Sequence, residues 1–236
     1  MHSSFVVQDE LVKVFTSPIG ATMTGTVHLF NPQPNPIRIR VYQADFTYNA
    51  NDEHFYVEPG KYHRSNAEWI RFTSHHTIPA NQNLHVPFTI GIPNQRNLVG
   101  TYWSVLFFEE DIDIIPRADE WTVSLRYAIQ IVNTIENTGS IDLTFRDVSF
   151  TRDSMSLVIH NTGTLLIDAV FRVDIFDTRT ELVARYTFER NRVYPELERR
   201  FSFPIQHLMR GNYYAVIVVD CGENRIFGHQ VTFMVN

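Results

Sequence analysis

Residues that could do chemistry are plentiful in this chain, but their spacing fits no catalytic pattern. Acyl transfer by an activated serine calls for a Gly-x-Ser-x-Gly elbow, phosphate binding for a glycine-rich loop, and zinc hydrolysis for His-Glu-x-x-His; none of these occurs. The densest ligand-type residues are His54, His63, His75 and His76, with Asp52 and Glu53 nearby. Neighbouring histidines on a strand point to opposite faces, so His75 and His76 do not share one ion. Ten histidines without regular ligand spacing read as solvated side chains, and no metal or cofactor is expected. Glu109-Glu110-Asp111-x-Asp113 has the charge for calcium but lacks the glycine and carbonyl pattern of a calcium loop. It reads as a solvated acidic turn after a strand. The single cysteine, Cys221, excludes an intramolecular disulfide and reads as a small core residue. An enzyme is not indicated.

The elements that must position these residues are strands. Phe (18) and Tyr (10) are abundant, which favours strands over helices. Apolar and polar residues alternate in Ile37–Tyr42, Leu84–Ile92 and Phe171–Ile175, and again at Trp121, Val123, Leu125, Tyr127, Ile129 and Ile131. Pro87 lacks a ladder donor, which places an edge there. Turn signals at Asn31-Pro32, Glu58-Pro59-Gly60, Asn137-Thr138-Gly139 and Asn161-Thr162-Gly163 separate the runs. Short strands with regular turns make a sandwich or barrel.

An internal repeat sets the domain count. Gly100-Thr101-Tyr102-Trp103-Ser104-Val105-Leu106 parallels Gly211-Asn212-Tyr213-Tyr214-Ala215-Val216-Ile217. In each copy, a strand ending in Asn (Asn31, Asn161), a turn and an alternating strand come earlier. The apolar-x-Gly-x-Tyr pattern is that of a tyrosine corner. Gly100 and Gly211 would make the bend, and the hydroxyls of Tyr102 and Tyr213 would bond to upstream backbone. The expectation is therefore an all-β chain of two tandem immunoglobulin-like β-sandwich domains, residues 1–137 and 138–236. Asn31 to Gly100 spans 69 positions and Asn161 to Gly211 spans 50, so the first copy carries about 19 extra residues. These fall at about 45–66 and are rich in aromatics, among them Phe46, Tyr48, Phe55, Tyr56 and Tyr62. Tyr48, Tyr56 and Tyr62 are the candidate contact residues of this insertion, and the other reading is a small hydrophobic cluster under a long hairpin.

Asn31-Pro32, Val41–Phe46, Ser65–Ile70 and Gly100–Ser104 form a series that resembles bacterial envelope proteins related to the periplasmic pilus chaperones. It also resembles the peptidoglycan-binding domains of WxL-interacting proteins. The resemblance covers about residues 5–135, and the second half, ending Asp220-Cys221-Gly222 … Phe227-Gly228, is similar to the companion sandwich. It implies export and a non-enzymatic binding or assembly role. Pilus chaperones anchor a subunit carboxylate with two basic residues, one near the first strand and one on the last strand of the first domain. Lys13 fits the first place. On the last strand the only basic residue is Arg126, and the register puts Gln130 at the anchor position, which departs from the family pattern.

The expected function is that of an extracytoplasmic, chaperone-like binding protein that engages another envelope protein along an open sheet edge, the last strand of the first domain. The alternative is an adhesion module that holds glycan or peptidoglycan, a cell-wall polymer, through the aromatic insertion. A net charge of -6 argues against nucleic acid, and no apolar run approaches the length of a membrane helix. Met1-His2-Ser3-Ser4 lacks a basic start and an apolar stretch, so the signal peptide that export requires is expected upstream of residue 5.

Overall fold

A computed structural model of the chain describes residues 5–111, 125–222 and 225–235. The chain divides into two units, Met1–Phe46 with Phe55–Thr138, and Thr47–His54 with Gly139–Asn236. The division after Thr138 lies one residue from the sequence boundary. Thr47–His54 departs from it, because these residues belong to the second unit although they sit in the first half of the sequence.

The first unit contains β1 (Val6–Val7), β2 (Val12–Ser17), β3 (Thr22–Phe30), β4 (Ile37–Tyr48, whose last two residues count with the second unit), β5 (His54–Val57, whose first residue does likewise), β6 (Ile70–Phe72), β7 (His75–Ile78), β8 (Asn83–Gly91), β9 (Thr101–Glu110) and β10 (Arg126–Ile135). They form a four-stranded sheet, β1-β3-β8-β6, and a six-stranded sheet, β2-β10-β9-β4-β5 with β7 also on β4. The second unit contains β11 (Leu143–Phe150), β12 (Ser154–Asn161), β13 (Ile167–Asp177), β14 (Leu182–Val193), β15 (Glu198–Pro204), β16 (Gly211–Asp220) and β17 (Ile226–Val235). Its sheets are β11-β12-β15 and β14-β13-β16-β17. The fold is all-β, two immunoglobulin-like sandwiches.

Period-two patterning builds each core. Ile37, Ile39 and Val41 are buried while Arg38 and Arg40 are exposed, and Ile167, Ala169, Phe171, Val173 and Ile175 are buried while Asp168, Val170 and Arg172 are exposed. The first core joins Val27, Leu29, Val86, Phe88 and Ile90 of one sheet to Ile39, Val41, Leu106, Phe108, Ile129 and Ile131 of the other. Burying each such side chain contributes roughly 1.5–3 kcal/mol. Gly25 faces Phe88 across the ladder, and a Cβ there would sit 2.2 Å from the ring, so only glycine lets that ring lie on β3.

The edge expected at Pro87 is local, because there β8 has a strand partner on one side only. β8 is an inner strand, paired with β3 along its length and with β6 over Phe88–Ile90. Pro87 follows directly where the β6 pairing stops, which is how a proline fits inside a sheet. The last strand of the first unit is described from Arg126; Trp121 and Val123 lie outside the described residues.

Candidate functional site

The sheet edge of interest is composite. β2 runs parallel to β10 from Val12 opposite Gln130 to Ser17 opposite Ile135, so the last strand is not an edge along its whole length. The Gln130 N–H donates to the Leu11 carbonyl oxygen at 2.8 Å, where this pairing begins. β10 reaches four residues further, Arg126 to Ile129, and there it pairs with Glu109–Leu106 of β9 on its other side. Backbone groups alternate with a period of two, so Arg126 and Ala128 point theirs the same way as Gln130, past the end of β2. Apolar side chains flank this step in the edge: Leu11 and Val14 are each 50% exposed, and Leu125 is 51% exposed. Sequence reasoning did not single out Leu11 or Val14, because a six-residue strand with mixed burial gives no clean alternation.

The proposed anchor residues are not brought together. Lys13 lies opposite Ile131, a core residue, and its Nζ sits 3.2 Å from Asp9 Oδ2. Arg126 lies on the other face with Ala128 and Gln130. Its guanidinium covers the Phe107 ring at 4.5 Å and the Tyr56 ring at 5.7 Å, and its Nη1 donates to the Tyr42 hydroxyl at 3.4 Å. Side chains on opposite faces of one sheet cannot clamp one carboxylate. Gln130, opposite Val105 on β9 and Val12 on β2, shares the Arg126 face four residues away.

The aromatic insertion is divided: Phe46 and Tyr48 are buried, Tyr62 is half-buried, and Phe55 and Tyr56 are exposed. Tyr62 packs on Trp103, a buried residue, at 5.2 Å, and Tyr56 packs on Phe107 at 4.9 Å and Phe46 at 5.8 Å. The Asp45 carboxylate, 1% exposed, fixes the loop by accepting the Tyr62 N–H and the Ser65 hydroxyl. Tyr48 is 5% exposed and belongs to the second unit, so it is not a surface contact residue. Phe55, Tyr56 and Val57 of β5 are all exposed, so this short strand has no buried face. Desolvation raises the Tyr56 hydroxyl above its ordinary pKa, with Arg126 opposing it.

Glu109 is not a solvated turn residue. It belongs to β9, accepts from Arg40 Nη2 at 2.9 Å and takes the Tyr42 hydroxyl at 3.2 Å. Asp113 lies outside the described residues. Among the described residues, no group of three His, Cys, Asp or Glu side chains is placed to hold a metal ion. No described helix is long and apolar enough to cross a membrane. Cys221 is half-buried against the second core, and burial, with Asp220 beside it, pushes its thiol pKa up to about 11.

Both corners tie a tyrosine hydroxyl to upstream backbone, with opposite polarity. Tyr213 donates to the Met209 carbonyl oxygen at 2.7 Å, whereas the Tyr102 hydroxyl receives the Val99 N–H at 3.3 Å. Gly100 has φ 78°, the left-handed region. Gly211 opens β16 and is not among the positive-φ glycines, so it needs no such freedom.

No protein-family model and no curated protein matches the sequence. Solved structures do match it in fold. The class 5 fimbriae chaperone CfaA is 13% identical with a TM-score of 0.54, and 98% of each chain is covered. A chain from a chaperone–tip adhesin complex of CFA/I fimbriae biogenesis is 13% identical with a TM-score of 0.53, again covering 98% of both. At this identity the likeness is one of fold, and along its whole described length this chain has the immunoglobulin-like two-sandwich fold of fimbrial chaperones.

Proposed function

We propose that this chain is a non-enzymatic, extracytoplasmic assembly protein that holds an extended segment of another envelope protein by strand addition to the first sandwich. The observation that carries this reading is the step in the sheet edge at Leu11 and Gln130. β10 continues there past the end of β2, and an added strand would lie in line with β2 alongside Arg126–Ile129. Main-chain hydrogen bonds would supply affinity, and the exposed Leu11, Val14 and Leu125 would supply apolar contact. The fold likeness to a chain from a chaperone–tip adhesin complex supports a fimbrial or other surface subunit as the partner. Lys13 and Arg126, on opposite faces, argue for holding the segment by its backbone rather than by a two-cation grip on its carboxylate.

The test is site-specific photocrosslinking in the native host. A crosslinker at Leu125 should trap one or a few exported proteins, and one at Val170, an exposed residue of the second unit, should not. Adducts of equal yield and identity at both positions would defeat the reading.

A further inference from the structure

The core of the second unit is built from residues after Gly139, on β11 to β17 and the turns between them, and includes neither Tyr48 nor Tyr194. Yet Thr47–His54 counts with that unit, and the contacts are specific. The Tyr48 hydroxyl accepts the Tyr194 N–H at 3.2 Å and donates to the Arg192 carbonyl oxygen at 3.4 Å. Its ring meets Tyr194 edge-on at 6.2 Å, and the Arg199 guanidinium lies over it at 5.3 Å. Arg199 Nη2 donates to Asp52 Oδ1 at 2.6 Å, Arg200 Nε to Asn51 Oδ1 at 3.3 Å, and the Arg200 N–H to the Ala50 carbonyl oxygen at 2.7 Å. Tyr48 and Tyr194 are 5% and 2% exposed.

The segment arrives preorganised. Asn49 Oδ1 accepts the N–H groups of Asn51 and Glu53, Asn49 Nδ2 donates to Glu53 Oε2 at 2.6 Å, and Asp52 holds φ 64°. A turn stiffened from within loses little entropy when it docks.

We propose that Arg192, Tyr194, Arg199 and Arg200 form a recognition site for a turn that carries a tyrosine and, four residues later, an aspartate, and that Thr47–His54 of this chain is its resident ligand. The tyrosine supplies the buried ring and a hydroxyl that bonds backbone on both sides. The aspartate supplies the charge for Arg199, and the Ala50 carbonyl oxygen completes the match by accepting the Arg200 N–H. Because the sandwich core is finished without the segment, the site survives when the turn is released.

The test uses the full chain. In Arg199→Ala, amide exchange across residues 47–54 should quicken by about tenfold while β16 keeps its protection. Tyr48→Ala with Asp52→Ala should empty the site. A synthetic peptide spanning residues 45–56 should then bind that variant and not the parent, whose site is filled. The same peptide carrying Asp52→Ala should bind more weakly. Unchanged exchange over 47–54 in Arg199→Ala overturns the proposal. So does a peptide that fails to bind the emptied variant while that variant keeps the parent's circular dichroism. If the double variant does not fold, Arg199→Ala and Asp52→Ala decide by exchange alone.

Discussion

Tyr213 donates its hydroxyl to the Met209 carbonyl oxygen at 2.7 Å, and its ring stacks on Phe233 at 5.6 Å. The chain thereby closes the corner before β16 with a bond four residues long. Tyr102 occupies the matching place at the start of β9, but its hydroxyl receives a longer bond, from the Val99 N–H, and its ring packs on Trp69 at 4.8 Å.

Tyr213→Phe should therefore cost the second unit about 1 kcal/mol, a typical net value for one hydrogen bond. Tyr102→Phe should cost the first unit less, since its bond is the longer one, 3.3 Å against 2.7 Å. Urea melts separate the two, because the sequence has no tryptophan after residue 121 and tryptophan emission reports on the first half alone. Equal losses would contradict the difference in geometry.

The glycines of the same corners should differ more. Gly100 holds φ 78°, where an L-residue costs roughly 1–2 kcal/mol, whereas Gly211 has no such constraint. A Cβ at Gly211 meets only the Tyr213 ring, at 3.7 Å, which is ordinary contact. Gly100→Ala should lower the melting temperature and Gly211→Ala should leave it near that of the parent, by calorimetry.

Much of this was legible in the sequence, and where it failed the reason is physical. Alternation at Ile37–Val41 and Phe171–Ile175 gave the sandwich faces directly, because burial on a strand has a strict period of two. The paired asparagines marked real joints. Asn31 Nδ2 donates to the carbonyl oxygens of Asn35, Ile78 and Pro79, and Asn161 Nδ2 to those of Leu165 and Val193. The site was less legible. Whether a strand is an edge depends on which other strand lies beside it, and the parallel pairing of Val12–Ser17 with Gln130–Ile135 joins segments more than a hundred positions apart. The same holds for Tyr48, whose aromatic character suggested a contact surface and whose partners, Arg192 and Tyr194, lie far along the chain.

Tyr62→Ala should destabilise the first unit more than Tyr56→Ala. Tyr62 packs on Trp103, which is 1% exposed. Tyr56 is itself 37% exposed, so its truncation opens a recess that water can fill. A loss of about 2 kcal/mol or more is expected for Tyr62 and less than half that for Tyr56. Tryptophan-monitored urea melts measure both, and the reverse order would show that the ring on Phe107 matters more than the ring on Trp103.

Asp9 makes the first unit sensitive to acid. Burial works to raise its pKa, but the ring and backbone N–H of His28 and the ammonium of Lys13 outweigh it, and the net direction is down. A carboxylate with a lowered folded pKa contributes stability above its unfolded value of about 3.9, and that contribution is lost as pH falls through the folded pKa. Asp9→Asn should therefore be less stable than the parent at neutral pH, and the gap should close below about pH 3.9. Urea midpoints on both sides of that pH check it, and a gap that persists in acid would place the loss in packing rather than charge.

Ala128→Pro tests the edge itself. The Gln130 N–H points toward β2, so the Ala128 N–H, two residues earlier, points the same way but beyond Leu11, where β2 has ended. Proline removes that donor and no bond to β9, because the N–H groups aimed at β9 belong to the alternate residues. The variant should keep the parent's melting temperature to within a few degrees, since an edge position tolerates proline. An added strand that bonds there loses one main-chain hydrogen bond and meets the ring, so the yield of the Leu125 crosslink in the native host should fall by about tenfold or more. Ala128→Val keeps the donor and adds bulk on the Arg126 face, and it should retain the crosslink. Loss of the crosslink in both variants would assign the contact to the side-chain face of β10. Retention in both would move the partner away from this edge. Only loss with proline and retention with valine fits a strand bonded to the backbone at Ala128.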